Sequence, residues 1–223
     1  MNELMVWVSY HRQEQLNEYN LRENGIFHLY YTNELDVSGE NINYLNPFYS
    51  EIVTLYWVWK NEVRSKKVGF CHYRRLFGKI IDFGLHECQV LDINNNCPVY
   101  KHYKLSHNYQ DLSDIIDIID DMYGKGNKYS DYILHSNVFV PFCSFVMCWS
   151  DFTGLCEFLF PILDAYDKKH KLNMRAERYM EKAKNDFRYD DVSYQQRAVS
   201  FLAERIISCY IVCRLKPYCV ETL

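Results

Sequence analysis

The sequence predicts an α/β fold with a helical carboxy-terminal region. Three observations carry this expectation. Apolar runs of strand length sit at residues 4–10, 26–32 and 68–71. A helix-length segment with one apolar stripe fills much of the interval between the second run and the third. Beyond about residue 100, apolar residues recur mostly at helical spacing. A strand–helix–strand order of these lengths favours a parallel pair joined by a crossover helix. With 223 residues, 48% hydrophobic and 24% charged, the chain can bury a core and reads as one domain over 1–223.

The elements follow in order. Residues 4–10 read as a buried strand, then a polar, helix-compatible stretch leads to the second strand at 26–32. Residues 36–46, rich in Asn, Gly and Ser, read as a loop. Asn46-Pro47 offers a cap followed by proline at the first helical position. The predicted helix runs from there through residue 65, with Ile52, Leu55, Tyr56 and Trp59 on one stripe and Trp57 on another side. Residues 68–71 form the third strand and 88–93 a weaker one. Pro98 opens a short helix to about Ser106. In residues 111–124 isoleucines take one helical face and Asp114, Asp117, Asp120 and Asp121 a solvated one, with Gly124 closing the helix. Residues 124–130 read as a flexible turn, and 132–149 as one or two buried strands broken near Pro141. Ser150 is expected to cap a helix to about Lys171, kinked at Pro161. Residues 175–185 are charged and helical. Ser193 and Gln196 have capping-box spacing and open a helix to about Arg214, and a short strand follows Pro217.

Composition excludes several functions. A net charge of −4 argues against a broad nucleic-acid footprint, so any anion site is local. The opening residues carry Glu3 in place of a basic leader, and the longest weakly charged run, 136–150, is too short to span a bilayer. The expected location is the cytoplasm, with attachment to a membrane surface left open. Nine cysteines, an odd and scattered number, then read as reduced thiols. His86, Cys88, Cys97 and His102 have ligand-like composition but match no common zinc spacing.

The chemical question lies in residues 67–78, KVGFCHYRRLFG. A strand ends in His72-Tyr73-Arg74-Arg75, and apolar residues resume at once with Leu76 and Phe77. Ligands of open α/β sheets collect at the carboxyl ends of parallel strands. Arginine's planar fork fits phosphate oxygens, so the pair is suited to a diphosphate. Fixed cations there would favour the charge that develops as a nucleoside diphosphate leaves a sugar. Alternatively the arginines pair with acids such as Glu51 or Glu204 and only tie layers together. Tyr10 and His11 follow the first strand, where a base and ribose would lie. Asn41 and Asn46 belong to the glycine-containing loop. Glu51 is favoured in a first helical turn by the dipole and would orient the arginines. Arg197, Glu204 and Arg205, seven and eight apart, face broadly one way and either reach the diphosphate or form a ladder. Glu51, His72, Asp131 and Glu204 all qualify by type to take a proton from a hydroxyl.

Three segments in order, GENINYLNPFYSEIVTLYWVWKN, KVGFCHYRRLF and SYQQRAVSFLAERI, resemble a family of bacterial glycosyltransferase-like proteins, the domain of unknown function DUF4422. Its members occur in capsule, exopolysaccharide and O-antigen gene clusters. The matching positions are Asn41, Ile42, Asn46, Glu51, Leu55, Tyr56, Trp57, Trp59, Lys60, Asn61, His72, Tyr73, Arg74, Arg75, Phe77, Arg197, Phe201, Glu204 and Arg205. Ile206 stands where leucine is usual, and the section between the first strand and the glycine loop is shorter than in the family. The resemblance covers roughly residues 4–215.

It implies a GT-A-like, nucleotide-sugar-binding sheet flanked by helices. The implied activity is glycosyl transfer from a UDP-linked sugar to a surface polysaccharide or a lipid-linked oligosaccharide, with loose contact at the inner face of the membrane. On this reading Glu51, His72 and Glu204 are catalytic candidates. Tyr10, His11, Asn41, Tyr73, Arg74, Arg75, Arg197 and Arg205 are the candidates for holding the donor. Many GT-A enzymes hold the diphosphate through a metal on an Asp-x-Asp motif. This sequence has none, and His72-Tyr73-Arg74-Arg75 stands in the equivalent place. Arginines are therefore expected to replace the metal, with no cofactor beyond the donor and no nucleic-acid partner. Two rival readings are a non-catalytic module that binds nucleotide sugar or glycan in an assembly complex, and a small phosphate-handling hydrolase.

Overall fold

The computed structural model describes residues 2–185 and 191–220. Strand β1 (Asn2–Tyr10) is buried from Met5 onward, as an unbroken apolar run predicts for a strand covered on both faces. A single helical turn, α1 (Gln15–Glu18), leads to β2 (Phe27–Tyr31), which pairs parallel to β1 with Tyr31 opposite Tyr10. The loop that follows ends in a tight 3-10 turn, Asn43–Leu45, then α2 (Asn46–Tyr49) and α3 (Ile52–Lys60). Strand β3 (Ser65–His72) pairs parallel to the other side of β1, with Ser9 opposite His72. The expected parallel pair with a helical crossover is present.

The crossover departs from the expectation in two ways. One helix was predicted from Pro47 to 65, but Ser50 adopts φ 51° and splits it between α2 and α3. Asn46 is not a cap. It is itself helical, and its side-chain amide donates to Asn33 Oδ1 at 2.6 Å. Buried Phe48 on α2 keeps helical spacing to Ile52 on α3, so periodicity could not reveal the break.

Strand β4 is shorter than expected, Glu87–Val90. Helix α4 (Val99–Ser106) follows Pro98 as predicted. Asn108 caps α5 (Tyr109–Tyr123), and Gly124, at φ 86°, ends it. Residues 124–130 are more than a turn: Asn127 accepts from the Tyr129 and Ser130 amides and starts α6 (Lys128–His135). The strand expected from 132 therefore begins only at β5 (Phe145–Cys148). Tyr132 and Ile133 are buried helical residues, and a short apolar run does not by itself distinguish helix from strand. Helix α7 (Trp149–Lys169) starts one residue before the expected cap Ser150 and contains Pro161. After α8 (Ala176–Lys184) comes a one-turn α9 (Val192–Gln195), capped by Asp191, whose carboxylate accepts from the Ser193 amide. The expected Ser193–Gln196 box therefore gives way to this cap. A break at Gln196 and Arg197 precedes α10 (Ala198–Arg214), and β6 (Lys216–Cys219) ends the described chain.

The six strands form one mixed sheet in the order β2-β1-β3-β5-β4-β6. Only β5 runs against its neighbours β3 and β4. Alternation sends Met5, Trp7 and Phe70 into a large core with the helices, and Val6, Val8 and Cys71 to a smaller cluster with Leu21, Phe77 and Phe83. Asp114 is not solvated as expected. It is buried and paired with Lys169 at 2.8 Å and His170 at 2.8 Å. All nine cysteines are free thiols. His86, Cys88, Cys97 and His102 do not converge. Among the described residues, only Asp111, Asp114 and His170 place three ligand-type atoms within 4.8 Å of one another. No helix among the described residues is long and apolar enough to cross a membrane.

Gly69 sits where β3 is squeezed between β1 and β5. A Cβ there would fall 2.8 Å from Val146 Cγ2, 3.1 Å from Val6 Cγ2 and 3.2 Å from the Phe145 carbonyl oxygen. Gly69→Ala is expected to cost about 1–3 kcal/mol as overpacking, read from the urea unfolding midpoint; an unchanged midpoint would refute the tight β1–β3–β5 packing.

Candidate functional site

Because β1 and β3 are parallel neighbours, their carboxyl ends open at one edge of the sheet. The chain turns sharply there. The Tyr73 amide donates to the Ser9 carbonyl at 3.1 Å, and the Arg75 amide to the His72 carbonyl at 2.8 Å. These bonds present His72, Tyr73 and Arg74 beside Tyr10 and His11. The α2–α3 break contributes Asn46, Pro47, Ser50 and Glu51, and the α9–α10 break contributes Gln196 and Arg197. Together with Ser9 and Thr32 they enclose a cleft of about 260 Å³.

The cleft is cationic and its charges are available. Among the described residues, no carboxylate lies within ion-pair distance of Arg74, Arg75 or Arg197. The expected alternative, arginines tied to Glu51 or Glu204, is therefore not what the structure has. Arg74 is exposed, with its guanidinium 5.3 Å from the Tyr73 ring centre. Arg197 Nε donates to Ser50 Oγ at 3.3 Å. Two exposed arginines without an ion-pair partner give this edge of the cleft a positive charge.

Burial and these cations set the protonation of the neighbours. His72 is pushed down to about 3, first by burial and then by Arg74, so it is neutral at physiological pH. Its Nδ1 is buried without a hydrogen-bond partner. Burial, and after it Arg12, also lowers His11. Glu51 moves the other way: burial raises it, against the pull of Arg197 and Arg74. A half-buried carboxyl held above its ordinary value is suited to accept a proton. Ser50, at φ 51°, places Glu51 in the wall, and a non-glycine residue in that region is strained.

Of the residues singled out in sequence, the cleft gathers Tyr10, His11, Asn46, Glu51, His72, Tyr73, Arg74 and Arg197. The others lie elsewhere. Arg75 does not line the cleft; its guanidinium is 4.0 Å from the centre of the Phe142 ring. Asn41 builds the glycine loop, donating to Val37 O at 3.1 Å and accepting from the Asn43 amide at 3.2 Å. Arg205 is only 2% exposed, donates to Phe201 O and pairs with Glu204, an interior strut that lines no part of this cleft. Glu204 is also occupied, by Arg205 and by the Phe142 amide at 2.7 Å. Asp131 lies on α6, 3.9 Å from His135, and lines no part of the cleft. Ser9, Thr32, Ser50 and Gln196 were not anticipated. A strand-end position marks Ser9, but only the two helix breaks bring in Ser50 and Gln196.

Much of the glycine-loop motif is structural. Asn61 accepts from the Glu40 amide at 2.9 Å and donates to the Glu40 carbonyl at 2.9 Å. Tyr56 donates to Glu40 Oε1 at 2.5 Å and Trp57 Nε1 to Ser38 O at 2.9 Å. Gly39, at φ 86°, allows this closeness, since a Cβ would lie 2.0 Å from Asn61 Oδ1.

These features define an α/β domain with an arginine-lined cleft at the carboxyl edge of its parallel strands. The chain belongs to the family described as "Domain of unknown function (DUF4422)", whose model matches residues 24–92 and 85–214. Its fold is similar to the apo structure of the WbbM bifunctional glycosyltransferase, with a TM-score of 0.73 and 22% sequence identity. That similarity covers 99% of this chain and 45% of the other, so the chain spans less than half the length of that protein. No curated protein matches it.

The His72 environment has a consequence for stability. Its value is 6.5 in an open chain and about 3 in the fold, so between these values the unfolded chain takes up a proton that the native chain refuses. The contribution is fully present above the first value and is lost as pH falls toward the second. The urea midpoint of the wild type should therefore drop more steeply between about pH 7 and about pH 4 than that of His72→Gln; parallel curves would show that His72 is not buried neutral.

Proposed function

We propose that this chain transfers a glycosyl group from a nucleotide sugar, UDP-linked, to a hydroxyl of a surface glycan or lipid-linked oligosaccharide. The observation that carries the proposal is the pair Arg74 and Arg197, facing one cleft at the sheet's carboxyl edge with no carboxylate partner among the described residues. Family membership and the fold shared with a bifunctional glycosyltransferase support it. A lipid-linked acceptor would bring the chain to the inner face of the membrane.

In this reading the base and ribose lie toward Tyr10 and His11, and the diphosphate against Arg74 and Arg197. The bond from the anomeric carbon to the diphosphate breaks, and its electron pair leaves with the diphosphate. The guanidinium groups stabilise that charge as it grows. The acceptor oxygen forms the new bond to the anomeric carbon, and its proton passes to Glu51. His72 is a poor base at a value near 3, and as neutral imidazole it is left to offer a hydrogen bond. Glu204 already has two partners. The arginines stand in for a metal, and the Asp111–Asp114–His170 group lines no part of the cleft.

Arg74→Ala is expected to weaken UDP binding by about 10–100-fold, as loss of charge-assisted hydrogen bonds does. Arg75→Ala should change it by less than about 3-fold. Titration calorimetry measures both, and equal losses would place the diphosphate elsewhere. Transfer should survive EDTA. Activity lost on chelation and restored by manganese or magnesium would overturn the metal-independent reading. Glu51→Gln should lower transfer by about 10²–10⁴-fold with UDP affinity kept. Because burial raises Glu51, its ionised form destabilises the fold at neutral pH, so the thermal midpoint of this variant should hold or rise. A variant with full activity would remove Glu51 from the mechanism.

A further inference from the structure

A second cavity of about 290 Å³ lies beyond the first, and Glu51 and Arg197 line both. Its other walls come from α4 and its carboxyl end, and from α9 and the start of α10. We infer that this second cavity is the subsite for the acceptor's sugar ring, an assignment that rests on the glycosyl-transfer reading above.

The chemistry of the lining carries the inference. Part of the lining is aromatic. The rings of His107 and Phe201 lie 4.0 Å apart and 24° from parallel, and Tyr194 is 5.0 Å from Phe201. The lining also offers hydrogen-bonding groups: Ser106, Ser200 and His102. A sugar ring has a C–H face that suits aromatic surface and a hydroxyl rim that suits such groups. A second nucleotide diphosphate would find no separate counter-charge here. Arg197 is shared with the first cavity, and Arg205 is already paired with Glu204.

The wall is also held in place before any ligand arrives. Arg205 donates to Phe201 O at 3.2 Å and lies 3.0 Å, through its second terminal nitrogen, from His102 Nδ1. Its guanidinium sits 4.8 Å from the Phe139 ring centre and 5.2 Å from that of Tyr103. A rigid wall lowers the ordering cost of binding. Position completes the case, because a ring in this cavity lies across Glu51 from the diphosphate. An acceptor hydroxyl there meets the carboxylate that would take its proton.

Saturation-transfer NMR on the full chain tests the inference, with methyl galactoside, methyl glucoside and methyl mannoside at millimolar concentration, with and without saturating UDP. At least one glycoside should give a signal that persists with UDP present. Phe201→Leu and Tyr194→Ala should each weaken it by about 3–10-fold, the loss expected for one aromatic contact, with UDP affinity unchanged. Circular dichroism checks folding; should Phe201→Leu unfold, Tyr194→Ala, at a half-buried site, carries the comparison alone. UDP binding without any glycoside signal overturns the assignment and leaves the donor site standing. A signal that UDP abolishes, or that the folded variants leave unchanged, overturns it too. Glycoside binding sensitive to the variants, in a chain that does not bind UDP, supports the subsite and defeats the donor reading instead.

Discussion

Parallel pairing of β1 with β3 is the constraint on which the cleft depends. It brings the end of each strand to the same edge and sets Ser9 against His72. The backbone bond from the Tyr73 amide to the Ser9 carbonyl then fixes the turn, so Arg74 projects beside Tyr10 and His11. A slip of one residue would reverse the facing of every side chain on β3 and turn Phe70 out of the helical core.

The electrostatics follow from this geometry. Arg74 and Arg197 are left without an ion-pair partner among the described residues, whereas Arg205, which lines the second cavity from α10, is buried and paired with Glu204. The same cations that would favour an anion also help keep His72 and His11 unprotonated. Glu51 is the exception, a carboxylate whose burial works against the nearby arginines. Its position depends on the strained Ser50, which ends α2 and turns the chain into α3. Strain and an unfavourable buried charge meet at one point of the wall, where the reaction would need a proton acceptor.

The family motif divides between two tasks. Gly39, Glu40, Asn41, Tyr56, Trp57 and Asn61 form a hydrogen-bonded clasp that holds the loop before α2. Glu51, His72, Tyr73, Arg74 and Arg197 line the cleft. The clasp fixes one end of the segment that delivers Glu51, so residues that touch no ligand still help to shape the site.

The sequence by itself determined the sheet's centre and the basic character of its edge. The apolar runs of β1, β2 and β3, the crossover between them, and the basic turn after β3 are local patterns that burial and helical periodicity make legible. Tertiary structure decided which arginine serves the cleft and which serves the interior. Arg197 and Arg205 lie two turns apart on a shared sequence pattern, yet one faces water and the other is enclosed by Phe139 and Tyr103. It also decided that Lys128–His135 is helical and that the long crossover breaks at Ser50. The physical reason is the same in each case. Burial and backbone strain depend on what distant segments supply, and neighbours in sequence do not reveal which segments those are.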